Sequence, residues 1–228
     1  MLLNLKEQLS DVITEDGISM IIRIIIAIIC SYLLGCIPTS FIFGKLIKKI
    51  DIRQFGSHNV GATNAIRVLG IKIGIITLLI DIAKGFFAIH IGKLIIQNPD
   101  NVLIICFGLA AILGHIFTVF LNFKGGKGVA TSAGVLIALA PIPFLIALLV
   151  FILTVWITLY VSLGSILAGI VLLIVEIIIN IRNSFSDLEF LIFFFIVVLF
   201  IIIRHKKNII RLFSGTENKI SFKKKQDL

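Results

Sequence analysis

The sequence predicts an all-α integral membrane protein with seven transmembrane helices. Its apolar excess, the spacing of its polar interruptions and the side on which its cations fall lead there. Of 228 residues, 59% are hydrophobic and only 14% are charged, and the mean hydropathy is +1.15. A soluble domain carries nearer a quarter charged residues. About 20 apolar residues cross a ~30 Å hydrocarbon core, and polar interruptions cut this chain into pieces of about that length. One domain covers 1–228, with a short extramembrane leader at 1–17 and a basic cytoplasmic tail at 218–228. The leader is acidic, and no small-residue cleavage site follows the first apolar segment, so it is not read as a signal peptide.

The first span covers 18–47 and is broken near Gly35-Cys36-Ile37-Pro38-Thr39-Ser40. Proline removes a backbone donor. The break is either a simple kink or an opening of carbonyls and hydroxyls toward a site. Residues 48–72 form a loop dense in Gly, Ser, Asn and Thr, flanked by Arg53 and Arg67. A mere connection between spans would be shorter. The second span, 73–96, holds Asp81 and Lys84 three residues apart on one helix face. They are either a structural pair or groups facing a cavity. The third span, 102–121, ends near Gly114-His115, where the histidine orients or caps the next loop. Residues 129–160 are too long for one crossing, and Pro141-Ile142-Pro143 splits them into a short fourth span, 129–140, and a fifth, 143–160. A turn at Val161-Ser162-Leu163-Gly164-Ser165 leads to the sixth span, which ends near Asn180, and the seventh covers 190–203. Cys30, Cys36 and Cys106 all lie in apolar segments, which argues against a disulfide framework or a metal site.

Between the third and fourth spans stands Lys124-Gly125-Gly126-Lys127-Gly128-Val129-Ala130-Thr131-Ser132. Glycines let amides approach an anion, the following helix offers its N-terminus, and Lys127 supplies a cation. It is not a Walker A loop, because Leu121 stands where that pattern needs glycine. A phosphate cradle and a short glycine turn both fit the stretch taken alone.

The positive-inside rule sets the topology. The loop at 48–72 carries Lys48, Lys49, Arg53, Arg67 and Lys72, the glycine loop Lys124 and Lys127, and the tail eight more Lys and Arg. The opposite side has Lys6, Arg23, Lys93 and Arg182. The C-terminus is thus expected in the cytoplasm and the N-terminus outside. Four polar constellations then fall on one face: the 48–72 loop, the glycine loop, the Ser162–Ser165 turn and the Arg204-His205-x-x-Asn208 run. The net charge of +9 reads as attraction to anionic lipid rather than to nucleic acid. One composite site for a phosphate-bearing ligand at the lipid boundary is expected. A transporter is the rival class, since it too would show a broken helix and intramembrane charges.

The motifs in order, from Gly35–Ser40 through Asp51–Gly70, Asp81…Lys84-Gly85, Gly114-His115 and Lys124–Ser132 to Val161–Ser165 and Arg204…Glu217, resemble the bacterial acyl-phosphate:glycerol-3-phosphate acyltransferases, the PlsY family. The resemblance implies an enzyme that transfers an acyl group from acyl phosphate to the 1-hydroxyl of sn-glycerol 3-phosphate. The products would be lysophosphatidate and inorganic phosphate, the first acylation in phospholipid synthesis. It implies a multi-pass protein of the bacterial cytoplasmic (inner) membrane with a cytoplasm-facing site, no cofactor, no metal and no obligate protein partner. Ser57, Arg67, Lys127, His205 and Asn208 occupy its catalytic positions, and Asn59, Thr63, Asn64, Gly125, Gly126, Gly128 and Ser165 its substrate-binding positions. Three residues depart from the family pattern: Cys36 for serine, His58 for glycine and Thr118 for proline. If that glycine needs a positive φ, His58 is strained.

Overall fold

The computed structural model describes residues 15–184 and 186–220. The expected leader up to residue 14 and the end of the basic tail from 221 lie outside the described residues. Ten α-helices are present among them: α1 Glu15–Cys36, α2 Thr39–Lys48, α3 Ala62–Leu69, α4 Ile71–Ile95, α5 Asn101–Ile116, α6 Val129–Leu139, α7 Pro141–Thr158, α8 Val161–Arg182, α9 Leu188–Arg204 and α10 Lys206–Phe213. The described part of the expected leader, from Glu15, is already helical.

Five of these helices are long and apolar enough to cross a membrane, and α9 with α10, bent by 58°, makes a sixth if the pair is one span. The remaining apolar helix, α6, has 11 residues, about 16 Å of rise, or half the hydrocarbon core.

The break between α1 and α2 falls at Ile37-Pro38, as the residue before proline disfavours helix. Its freed carbonyls are satisfied by buried side chains. Thr118 Oγ1 donates to the Cys36 carbonyl at 2.6 Å, and Lys84 Nζ donates to the Ile37 carbonyl at 2.9 Å. Thr118 keeps a proline-like φ of −67°. The hydroxyl that replaces proline here therefore ties α1 to the turn after α5 without changing the backbone.

Glycines set how closely the helices cross. A Cβ on Gly85 of α4 would overlap the Thr131 carbonyl of α6, and one on Gly134 of α6 would overlap the Ile82 carbonyl of α4. Gly35 and Gly114 meet the Ala111 and Tyr32 carbonyls between α1 and α5 in the same way. Small residues allow such backbone contact where lipid offers no hydrophobic drive for association. Gly134→Ala is therefore expected to destabilise the protein by roughly 1–3 kcal/mol through overpacking, read as a lower Tm in detergent. Gly169→Ala, whose Cβ would meet nothing closer than 3.8 Å, should leave Tm unchanged. Equal Tm values for the two variants would contradict the close-crossing account.

Candidate active site

The polar constellations meet at one cavity of about 280 Å³. The loop before α3 enters first. Asn64, 1% exposed, organises it from within. Its Nδ2 lies 3.2, 3.1 and 3.0 Å from the carbonyls of Ile52, Phe55 and Asn59, and its Oδ1 accepts from the Ser57 amide at 2.8 Å. This is what brings Ser57 and Asn59 to the cavity rim. Asn64 lines the cavity, yet its amide is engaged inside the loop rather than free for a ligand. His58 has φ 59°, so this histidine does occupy the left-handed region that favours glycine. Its Nδ1, 3.0 Å from the Arg53 carbonyl, holds the strained turn.

The glycine loop behaves differently from the expected cradle. The amide of Gly125 donates to the Ile116 carbonyl and that of Gly126 to the His115 carbonyl, both at 3.0 Å. Arg204 Nη2 clamps the Gly125 and Gly126 carbonyls at 3.1 and 3.0 Å. These two residues are glycines because the strand runs against the end of α5, where a Cβ would overlap the His115 carbonyl or the His115 ring. Neither lines the main cavity; Gly125 lines a neighbouring, more polar one instead. The amides of this loop without a protein acceptor, among the described residues, begin later, at Lys127, and run on through Gly128, Val129, Ala130 and Thr131. The first α6 bond runs from the Ser132 amide to the Gly128 carbonyl. Gly128, with φ 87°, turns the chain so that this N-terminus opens into the cavity, which Gly128, Val129 and Ala130 line. An anion there gains the helix end and Lys127 together.

Lys127 Nζ donates to Asn208 Oδ1 at 2.6 Å. Asn208 Nδ2 passes the contact to Glu217 Oε1 at 2.7 Å, where Ser162 Oγ also donates at 2.8 Å. Arg211 Nε donates to Glu217 Oε2 at 2.7 Å. The segment after α10 thus crosses the site as a strap. Arg67 Nη2 donates to the Asn218 carbonyl at 3.1 Å, and the Ile220 amide donates to the Leu159 carbonyl at 2.8 Å. His205, 2% exposed, sits at the bend between α9 and α10. Its Nδ1 is 2.8 Å from the Ile201 carbonyl. A carbonyl only accepts, so Nδ1 carries the proton and the neutral ring offers Nε2 as an acceptor. Ser165 Oγ donates to the Val161 carbonyl at 2.9 Å and keeps acceptor capacity toward the cavity that it lines.

The electrostatics favour an anion. Burial, and then Arg211, Arg67 and Arg204 nearby, lower the Lys127 ammonium to about 8, with Glu217 opposing them. Burial also lowers Arg67. Burial pushes Glu217 up, but the donors Arg211, Asn208 and Ser162 outweigh it and hold its carboxyl below the usual range. A bound phosphate would relieve the crowded cations. Below this mouth the cavity becomes apolar, between Leu78, Ile82, Leu136, Phe144, Leu148, Phe151 and Leu172. Among the described residues, no three of His, Cys, Asp and Glu come together to hold a metal.

Ser57, Asn59, Thr63, Asn64, Arg67, Lys127, Gly128, Ser165, His205 and Asn208 all line this one cavity. Sequence reasoning gave no role to Glu217, Ser162 or Arg204. Glu217 was detectable as the lone carboxylate within the basic run 204–219.

A bundle of apolar, span-length helices encloses a cavity lined both by cationic and hydroxyl side chains and by apolar ones, which suits an amphiphilic anion. A glycerol-3-phosphate acyltransferase family model matches residues 25–215. The chain is 46% identical to a glycerol-3-phosphate acyltransferase of Chlorobaculum tepidum over 87% of this chain and 97% of that one. It is 47% identical to one of Macrococcus caseolyticus over 89% of this chain and 100% of that one. It also resembles the crystal structure of PlsY (YgiH), an integral membrane glycerol 3-phosphate acyltransferase in its glycerol 3-phosphate form, with a TM-score of 0.78 and 37% identity over 87% of this chain and 96% of that one. The chain belongs to the glycerol-3-phosphate acyltransferase family and is an acyltransferase.

Proposed function

We propose that this enzyme transfers an acyl group from an acyl phosphate to the 1-hydroxyl of glycerol 3-phosphate, giving lysophosphatidate and inorganic phosphate. The observation that carries this reading is the single cavity in which a cationic, hydroxyl-rich mouth continues into an apolar groove. That shape suits a phosphate-headed acyl donor lying with its chain among the helices and a second, soluble anion beside its head. The relative solved in a lysophosphatidic acid form supports the same assignment.

Lys127 and the N-terminus of α6 would neutralise the donor phosphate. Arg67, with Ser57 and Ser165, would hold the acceptor phosphate, with Asn59 and Thr63 on the loop beside it. Asn208 and His205 would place the hydroxyl against the acyl carbon. The new ester bond forms from hydroxyl oxygen to acyl carbon, and the acyl–phosphate C–O bond breaks with its electron pair leaving on phosphate. The hydroxyl proton has two acceptors within reach of such a complex, a donor-phosphate oxygen and His205 Nε2. The mixed anhydride is already activated, so positioning and charge stabilisation suffice for the transfer.

The protein would sit in the bacterial cytoplasmic membrane with seven crossings, the N-terminus outside and the site facing the cytoplasm. The charge count supports this sidedness. Lys127, at the start of α6, and Ser162, just after α7, line the same cavity. The α6–α7 hairpin therefore returns to the face it left, and α7, with 18 residues or about 27 Å, is long enough to put the turn near the other face.

Purified protein in lipid, supplied with palmitoyl phosphate with and without glycerol 3-phosphate, tests the reading. Phosphate release that depends on the acceptor, with lysophosphatidate formed, is the expected result. Failure of a folded protein to produce either would refute it.

A further inference from the structure

The intramembrane charges have no part in the acyl-transfer chemistry, yet they lie directly behind it. Asp81, 2% exposed, sits 10 residues into α4, about 15 Å along the helix. Its Oδ1 accepts from Lys84 Nζ at 2.9 Å and from Thr39 Oγ1 at 3.0 Å. His115 Nδ1 lies 3.9 Å from the same oxygen. That is longer than a hydrogen bond, and it would be an ion pair only with a protonated ring. The other side of the His115 ring faces the glycine loop: a Cβ on Gly126 would overlap His115 Nε2. The Gly126 amide donates to the His115 carbonyl. Asp81 and His115 both line the reaction cavity. A continuous buried path thus runs from the broken first span, through Lys84 on the Ile37 carbonyl, to Asp81, His115 and the loop that carries Lys127.

Resting on the acyl-transfer reading, we propose that Asp81 and His115 are positioning residues. They fix the height of the glycine loop, and with it Lys127 and the α6 N-terminus, relative to the acyl carbon. A buried ion pair in a membrane span is a costly feature. A helix break alone would need only a neutral donor on the Ile37 carbonyl, so it leaves the carboxylate and the imidazole unexplained. A loop with two flanking glycines has no stiffness of its own. Its amides are held by α5 and its carbonyls by Arg204, and His115 is the side chain directly beneath Gly126.

The test compares His115→Gln with His115→Leu in the palmitoyl phosphate assay. Glutamine keeps a polar group near Nε2, whereas leucine keeps only volume. His115→Leu is expected to lower kcat about thirtyfold with the KM for glycerol 3-phosphate changed less than about threefold, as a displaced reacting group costs rate more than binding. His115→Gln should recover to within about fivefold of the parent kcat on the same reasoning. The double variant Asp81→Asn with Lys84→Met removes the pair without stranding a charge, and should show the same kcat-weighted loss. Thr39→Val, isosteric and neutral, frees Asp81 from one anchor and gives a smaller loss of the same kind if the double variant does not fold. Parent-like kcat in folded Leu and double variants, or equal losses in Gln and Leu, would overturn the proposal. An inactive parent protein would instead refute the acyl-transfer reading, so the two failures are distinguishable.

Discussion

Lys127→Gln is expected to lower kcat/KM for acyl transfer by on the order of a hundred- to a thousandfold, the usual loss when a preorganised charge donor is removed from a transition state. The side chain is aimed rather than merely present: Asn208 Oδ1 fixes Nζ at 2.6 Å, and the loop behind it is clamped on both edges by α5 and Arg204. Lys127→Arg keeps the charge but replaces a point donor with a wide fork, and it should recover less than a tenth of the loss, since arginine and lysine differ in reach and geometry. The pH profile separates charge from shape. Burial and the neighbouring arginines bring the Lys127 ammonium down to about 8 in the empty site. The cation is therefore present below that pH and lost above it. The parent kcat/KM, which reports the free enzyme, should fall as pH rises through about 8. A bound phosphate favours the protonated form, so the fall in kcat should come at higher pH. The residual activity of Lys127→Arg should show no such limb, because arginine stays charged. Initial rates of phosphate release across the neutral to alkaline range measure all three profiles. A parent profile that is flat across that range, or a Gln variant with parent-like turnover, would remove Lys127 from the phosphate site.

The membrane class was legible in local composition, and most residues that line the candidate cavity were legible in the family's motifs. Apolar length reports spans, and a Gly-Gly-Lys-Gly run before a helix reports an anion-suited turn. Who occupies each hydrogen bond was not legible. Gly125 and Gly126 looked like the amides of a nest, but their N–H groups belong to the Ile116 and His115 carbonyls. That assignment depends on α5 ending beside the loop, a tertiary fact. The open amides start at Lys127, just before Gly128, where a positive φ redirects the chain. Asn64 likewise looked like a ligand contact and is mainly the internal brace of its own loop. His58 was the reverse case: a single departure from the family pattern raised the question of a positive φ, and φ is 59°. Glu217 stands at the end of a motif but suggested no role, since a lone carboxylate near the end of a basic run reads as a solvated charge. Only the fold brings Ser162, 55 residues away in sequence, to the same oxygen as Asn208.

Glu217→Gln is the second change with a large expected effect, and it tests whether that carboxylate is part of the machinery. Its side chain is 4% exposed and ties two helices to the strap: Ser162 of α8 and Asn208 of α10 on Oε1, and Arg211 of α10 on Oε2. An amide can still accept on one atom, but its NH₂ then faces either Arg211 or the Ser162–Asn208 pair as donor against donor. Removing one partner of a buried charged set costs about 3 kcal/mol or more, which corresponds to on the order of a hundredfold in rate if it falls on the transition state. The strap should stay in place, because Arg67 on the Asn218 carbonyl and the Ile220 amide on the Leu159 carbonyl do not involve the carboxylate. The variant should therefore purify as a folded protein with low kcat/KM. A second signature comes from the sign of the charge. Glu217 raises the Lys127 ammonium against the effect of burial and of the arginines. Without it that ammonium loses its proton more easily, and the alkaline fall in kcat/KM moves to lower pH than in the parent. Glu217→Asp keeps the charge on a shorter stem. It should restore the position of the alkaline limb more completely than the rate, since the field reaches Lys127 while the hydrogen bonds to Ser162 and Asn208 lengthen. A Gln variant with the parent rate and an unmoved limb would show that the strap carboxylate is a surface charge after all, and that Asn208 needs no anchor to hold Lys127.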